Sequence, residues 1–215
     1  MPSGPAEEGD LVGNVIVAAG EEKAWLGVHR HSDATHVKWP GGAIPVEVPV
    51  DAPSRAFAKI EEAIAWAKLP IQAGHVALEI GAAPGGAVMA LARRGVEVWG
   101  VDTGELAPNV KAMPGVHHLA MKVGALRWEQ LPPRVDWLLV DVNLAPQVAV
   151  HEVARLMPRL SKTLRGCVFT LKLNELSFVP ELPVLAERIA AFGFTDVRMR
   201  HLPSNRREVC CVALR

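Results

Sequence analysis

One stretch constrains this chain more than any other: Val76 to Asp102, VALEIGAAPGGAVMALARRGVEVWGVD. Val76 to Ile80 is a short apolar run that suits a buried strand. Gly81-Ala-Ala-Pro-Gly-Gly86 follows at once. Ala87 to Arg94 then has helical character, with Val88, Leu91 and Ala92 on one face and Arg93-Arg94 at the C-terminal end, where the helix dipole favours cations. Gly95 closes that helix, and Val96 to Val101 is a second apolar run that stops at Asp102. Glycines let the backbone approach a ligand, and a helix N-terminus offers free N–H groups. An acid about 20 residues past the first glycine is placed to hold a ribose. The stretch therefore predicts a doubly wound, Rossmann-like α/β sheet with a nucleotide-type ligand at its C-terminal edge. It lacks the G-x-G-x-x-G of dinucleotide folds. Proline with paired glycines makes a tight loop suited to the amino-acid end of S-adenosylmethionine, which has no pyrophosphate. A plain βα turn, with glycines present only for packing, is the competing explanation.

At 215 residues, half of them hydrophobic, the chain has room for one α/β domain and a small appendage. The expected division is a flexible tail and β-appendage over 1–50 and the main domain over 51–215. Lysine plus arginine and aspartate plus glutamate both number 23, which weighs against a large nucleic-acid footprint and leaves room for a local basic face. Three cysteines, two of them adjacent at Cys210-Cys211, make no disulfide framework and suit buried thiols in a reducing cytosol. MPSGPAEEGD is acidic without an apolar core, so it does not resemble a signal peptide, and no apolar run is long enough to span a membrane. A cytoplasmic protein is expected.

Residues 1 to about 10 have the composition of a disordered tail. Val12 to Ala19 and Lys23 to His29 predict a hairpin around Gly20-Glu-Glu22, Trp39-Pro-Gly-Gly42 a turn, and Ile44 to Val50 an edge strand. His29 and His31, with no cysteine or acid at ligand spacing, are read as surface histidines, and no metal is expected. Ser54 is a candidate N-cap for a helix whose buried face carries Phe57, Ile60, Ile64 and Ala67. Lys59 lies off that stripe and by itself is a solvated lysine. Gly115 to Ala120 and Val135 to Asp141 predict further strands. Pro146 to Leu164 predicts a helix stopped by Gly166, Val168 to Lys172 a strand, and Pro183 to Phe192 a helix capped by Gly193. Asp196 to His201 and Arg207 to Leu214 predict a closing strand pair, for a sheet of about seven strands.

Asp141 and Lys172 each end a mostly apolar strand, and Glu208 begins one. Unpaired charges in such places are costly. A structural Asp141–Lys172 ion pair is one explanation, and a lysine tuned to take a proton near neutral pH is the other.

These segments resemble the FtsJ-type RNA 2′-O-ribose methyltransferases, and more closely the ribosomal large-subunit RNA methyltransferase M group. PSRAFAKIEEA is similar to the first-lysine helix of that family, WLLVDVNLAP to its aspartate motif, FTLKLNE to its catalytic-lysine strand and NRREVCCVA to its glutamate strand. The resemblance implies a Lys-Asp-Lys-Glu tetrad at Lys59, Asp141, Lys172 and Glu208, with Lys172 as general base. It also implies S-adenosylmethionine on the Gly81, Ala83, Pro84, Gly85 and Gly86 loop, with its ribose on Asp102 and its methionine end near Ser54, Pro84, Gly85 and Asp141. The implied reaction is methyl transfer to a ribose 2′-hydroxyl of RNA, rRNA in particular, with Arg55, Arg93, Arg94, Arg206 and Arg207 as candidate phosphate contacts. Three features depart from the family pattern. Ala87 follows the glycine pair, Lys122 or Val123 stands near the place of the adenine-side acid, and only the β-appendage precedes the domain where the M group has a large RNA-binding region. A non-catalytic binding module, a nicotinamide oxidoreductase and a methyltransferase for another acceptor are the alternatives.

Overall fold

The structure is a computed structural model that describes residues 4–17, 20, 22–33, 36 and 38–215. The chain forms two compact units, Met1–Pro45 and Val46–Arg215.

In the small unit, β1 (Leu11–Val17) pairs antiparallel with β2 (Ala24–Arg30), with Leu11 opposite Arg30 and Val17 opposite Ala24. Met1–Ser3, the expected strand end at Ala18 and Ala19, and Glu21 of the expected turn lie outside the described residues. Residues 4–10, whose composition suggests disorder, carry backbone hydrogen bonds: Ala6 N–H to Lys38 O at 2.6 Å and Gly9 N–H to His31 O at 3.0 Å. Pro40–Gly42 forms a single 3₁₀ turn. Ile44 to Val50 forms no strand, because Pro45 and Pro49 remove two of the donors a ladder needs. His31 is not a surface residue; it is only 2% exposed. Nor does it lack an acid, since its Nε2 lies 3.1 Å from Asp33 Oδ1.

The large unit is a seven-stranded sheet. Its strands are β3 (Val76–Ile80), β4 (Glu97–Asp102), β5 (Val116–Ala120), β6 (Trp137–Val140), β7 (Gly166–Lys172), β8 (Asp196–Arg200) and β9 (Glu208–Leu214). Their order is β5-β4-β3-β6-β7-β9-β8. Strands β3 to β7 are parallel, and β9 enters antiparallel between β7 and β8. Strand order reverses between β3 and β6, the point where an open α/β sheet leaves a crevice beyond its strand ends. Alternating side chains supply the two cores. Ala77, Trp137, Leu139, Cys210 and Val212 pack on the face that bears α1 (Ala56–Ala67) and α2 (Gly86–Arg93). Leu78, Leu138, Val140, Cys211 and Ala213 pack on the other face, with α4 (Pro146–Ala154), α5 (Met157–Leu160) and α6 (Leu182–Ala190). A short α3 (Pro108–Lys111) follows β4.

Several local expectations are corrected. Ser54 is not the N-cap of α1. Arg55 occupies that position in a helical conformation, and the Ser54 hydroxyl instead accepts Ala56 N–H at 3.3 Å. The helical periodicity over 146–164 covers two helices, with Pro158 in the first turn of the second. Gly166 is not a helix stop. It opens β7, where a Cβ would lie 2.7 Å from both the Trp137 ring and Leu214. The residues after Lys172 include an unforeseen 3₁₀ segment, Leu176–Glu181. Among the described residues no helix is long and apolar enough to cross a membrane.

Candidate active site

Four charged side chains meet at the C-terminal edge of the sheet, each delivered by a different element. Asp141 follows β6, Lys172 ends β7, Glu208 begins β9, and Lys59 reaches over from the second turn of α1. The register sets Lys172 opposite Glu208. The buried Glu62 carboxylate, also on α1, accepts the Ser204 backbone N–H at 2.9 Å and ties the β8–β9 loop to that helix. Lys172 Nζ lies 2.6 Å from Asp141 Oδ1 and 2.6 Å from Glu208 Oε1. Lys59 Nζ lies 3.1 Å from Asp141 Oδ2 and 2.7 Å from Glu208 Oε2, the latter an ion pair without hydrogen-bond alignment. Two cations and two anions thus alternate in a closed ring whose side chains are 12–18% exposed. Lys59 is a member of this ring and not a solvated lysine. The competing structural pair, Asp141–Lys172, is present too, but as one side of a square.

Burial disfavours the Lys172 ammonium, yet the Asp141 and Glu208 carboxylates outweigh it and raise the lysine above its usual range. Burial also works against the Glu208 carboxylate, and Lys172 and Lys59 overcome it, holding that acid below its usual range. As it stands, the ring keeps its proton on Lys172.

Beside the ring runs the βα turn after β3. Gly81 (φ +86°) is forced: a Cβ there would lie 2.2 Å from the Asp141 carbonyl oxygen. Gly85 (φ +107°) is the N-cap of α2 without a side-chain cap, so the first turn of that helix presents free N–H groups. A Cβ on Gly86 would meet the Ser54 hydroxyl at 2.3 Å, which places Ser54 against the loop. The Ala83–Pro84 bond is cis. Asp102 is held at the end of β4 by Ala83 N–H on one carboxylate oxygen (3.0 Å) and Gly104 N–H on the other (2.8 Å).

One residue of this site is not among those expected from the sequence. Glu79 is 1% exposed, and its Oε2 has no hydrogen-bond partner. It lines a cleft together with Lys59, Asp141, Thr170 and Asn205. Burial, then the charges of Asp141 and Asp102, push its carboxyl well above the usual range. The signal was legible: an acid inside the apolar strand VALEI is as anomalous as Asp141 or Lys172. An orphaned acid and an uncapped helix N-terminus in one crevice suit a zwitterion, whose ammonium meets the first and whose carboxylate meets the second. That is the amino-acid end of S-adenosylmethionine, and the residues present fit it.

The fold is that of the Rossmann-like methyltransferases. The sequence profile of the FtsJ-like methyltransferases matches residues 52–179. The chain belongs to that family, whose methyl donor is S-adenosylmethionine. It is 33% identical to the ribosomal RNA large subunit methyltransferase M of Thauera aminoaromatica over 86% of this chain and 52% of that protein. It is 34% identical to the protein of the same name in Saccharophagus degradans over 93% of this chain and 58% of that one. The chain thus spans about half the length of these curated relatives. The fold is shared with a Methanococcus jannaschii fibrillarin pre-rRNA processing protein, with TM-score 0.58, 15% identity, and 95% and 97% of the two chains covered. It is shared also with the magnesium protoporphyrin IX methyltransferase of Synechocystis with bound SAH, with TM-score 0.53, 13% identity, and 80% and 90% covered.

Proposed function

We propose that this chain transfers a methyl group to a ribose 2′-hydroxyl of RNA, rRNA in particular, and works in the cytoplasm. The observation that carries the reading is the closed Lys59–Asp141–Lys172–Glu208 ring beside the Gly81–Gly86 turn of an FtsJ-like methyltransferase. Its similarity to proteins named ribosomal RNA large subunit methyltransferase M supports the choice of substrate.

Bound S-adenosylmethionine supplies an activated methyl group on a good leaving group, so the protein must align the acceptor and take its proton. In this reading Gly81, Ala83, Pro84, Gly85 and Gly86 admit the donor close to the backbone, with Ser54 packed behind Gly86. Asp102 accepts from the ribose hydroxyls with the lone pairs its backbone donors leave free, and Glu79 joins the set as partner to the ammonium. Asp141 holds Lys172 from one side and Glu208 from the other, aiming Nζ at one point. Lys172 removes the 2′-hydroxyl proton. Lys59 fixes both carboxylates and disfavours a second positive charge beside it. Lys172 must first release its own proton, which becomes easier when further positive charge is brought beside Asp141.

The test is methyl transfer from labelled S-adenosylmethionine to rRNA lacking this modification, with the product digested to nucleosides. Label in a 2′-O-methyl nucleoside is expected. Label in a base, or transfer only to protein, overturns the assignment.

A further inference from the structure

The small unit gathers three imidazoles that the reading above does not use. His29, His31 and His36 each place one ring nitrogen within 4.8 Å of the other two. Ring centroids lie 4.3 Å apart for His29 and His36, 5.7 Å for His31 and His36, and 6.4 Å for His29 and His31. Among the described residues of this unit His31 alone is buried. The large apolar side chains of the hairpin face solvent instead, Leu11 at 71%, Trp25 at 56% and Leu26 at 79% exposure. A two-stranded hairpin without an apolar core is marginal on its own. Units this small usually need a disulfide or a metal as a staple, and this one contains no cysteine. What it collects at its one buried point is the ligand type preferred by zinc and its neighbours.

We propose that His29, His31 and His36 bind a divalent first-row transition ion, best matched by Zn²⁺, which clips β2 to the segment that follows it. The hydrogen bonds around the rings support this. Asp33 Oδ1 sits 3.1 Å from His31 Nε2. A carboxylate accepting from Nε2–H leaves the His31 lone pair on Nδ1 and strengthens it as a ligand, the arrangement found behind many metal-bound histidines. Asn14 Nδ2 lies 3.0 Å from His29 Nδ1. With the amide turned over, its oxygen accepts from Nδ1–H and leaves Nε2 to ligate. His36 Nδ1 accepts the Ser32 backbone N–H at 3.0 Å, and His36 rearranges that bond when it takes the ion. Tetrahedral Zn–N bonds of about 2.0–2.1 Å set ligand nitrogens roughly 3.4 Å apart. The three nitrogens therefore draw in by at most about 1.4 Å, a movement that side-chain rotation supplies. Three protein ligands leave a fourth position to water.

The test uses the full chain, stripped with a chelator and titrated with Zn²⁺ against a chromophoric competitor, then with Co²⁺ by visible absorption. One ion per chain is expected, with a tetrahedral Co²⁺ spectrum. The double variant His29→Gln/His36→Gln changes only half-buried and exposed positions of the small unit, so the large unit keeps its fold, as a thermal melt will confirm. It should lower affinity by at least about 100-fold. Asp33→Asn should lower it by about 10–100-fold, the usual effect of losing an outer partner. Failure to take up one equivalent of either ion, or uptake unchanged in the double variant, would show that the three rings merely stack, and would overturn the proposal.

Discussion

Lys172 holds its proton tightly in the unliganded ring, and that fixes the direction of its pH dependence. Its folded pKa is raised, so across neutral and mildly alkaline pH the neutral fraction is small and grows about tenfold per pH unit. Single-turnover methyl transfer should rise with pH until it passes the pKa of Lys172 in the donor-bound ring, and a rate that falls as pH climbs from about 7 to 9 would remove Lys172 as the base. Lys172→Ala should leave donor binding largely intact and cut transfer by about 10²–10⁴-fold. Lys172→Arg should fail to rescue, because arginine does not give up its proton; a folded arginine variant near the wild-type rate would make this residue a structural partner only. The same raised pKa is a stability statement. The contribution of Lys172 is fully present below the pKa of an unfolded lysine and is lost as pH climbs through the folded value. Glu79 makes a separate prediction. Burial keeps it protonated well above the ordinary carboxylate range, so pairing with the donor's ammonium should release a proton. Calorimetry in buffers of different ionisation enthalpy measures that release. Glu79→Gln should abolish it and weaken binding, and equal proton release in the two proteins would exclude Glu79 from the site.

Among the elements, the βα turn after β3 is where backbone and site coincide. Gly81 takes a positive φ in the space of the Asp141 carbonyl, so Gly81→Ala brings both backbone strain and a collision with the strand that carries the ring. A loss of about 2–4 kcal/mol is expected, the range of overpacking added to an unfavourable φ. Denaturant titration reads it, and a loss under about 0.5 kcal/mol would mean that β6 yields easily. This turn was legible in the sequence because glycine, proline and the two apolar runs share one physical demand. Asp141, Lys172 and Glu208 were legible singly, as charges at the ends of apolar strands. Their closure into a ring was not legible from spacing, because it depends on β9 entering antiparallel beside β7 and on α1 turning its off-stripe Lys59 inward. Gly166 misled for the opposite reason. A glycine after an apolar periodic run looks like a stop, while its role is to let the Trp137 ring and Leu214 close over β7. The His29–His31–His36 cluster stayed hidden because its third member and its acid come from a loop with no periodicity.

At the scale of the whole molecule, charge decides how RNA is approached. Formal net charge is zero, so no long-range field draws a polyanion in, and binding rests on local contacts. Of the five candidate arginines, Arg93 is paired with Asp51 at 3.2 Å, and Arg94 grips Glu61 through two nitrogens. Arg55, Arg206 and Arg207 are exposed and form no ion pair among the described residues. Arg55 lies one turn before Lys59, and Arg207 directly precedes Glu208, so both flank the ring. If these three meet phosphates of a single-stranded segment, log affinity should fall against log salt with a slope of about −2. Between about 50 and 200 mM salt that amounts to roughly a 20-fold loss. Each of Arg55→Gln, Arg206→Gln and Arg207→Gln should flatten the slope by about 0.7, while Arg94→Gln should leave it nearly unchanged, its guanidinium being already occupied. Filter binding of a single-stranded rRNA fragment to the full chain, across a salt series, measures all five proteins. Should Arg94→Gln flatten the slope as much as the other three, the phosphates run over α2 and not past the ring, and the proposed path of the acceptor strand fails.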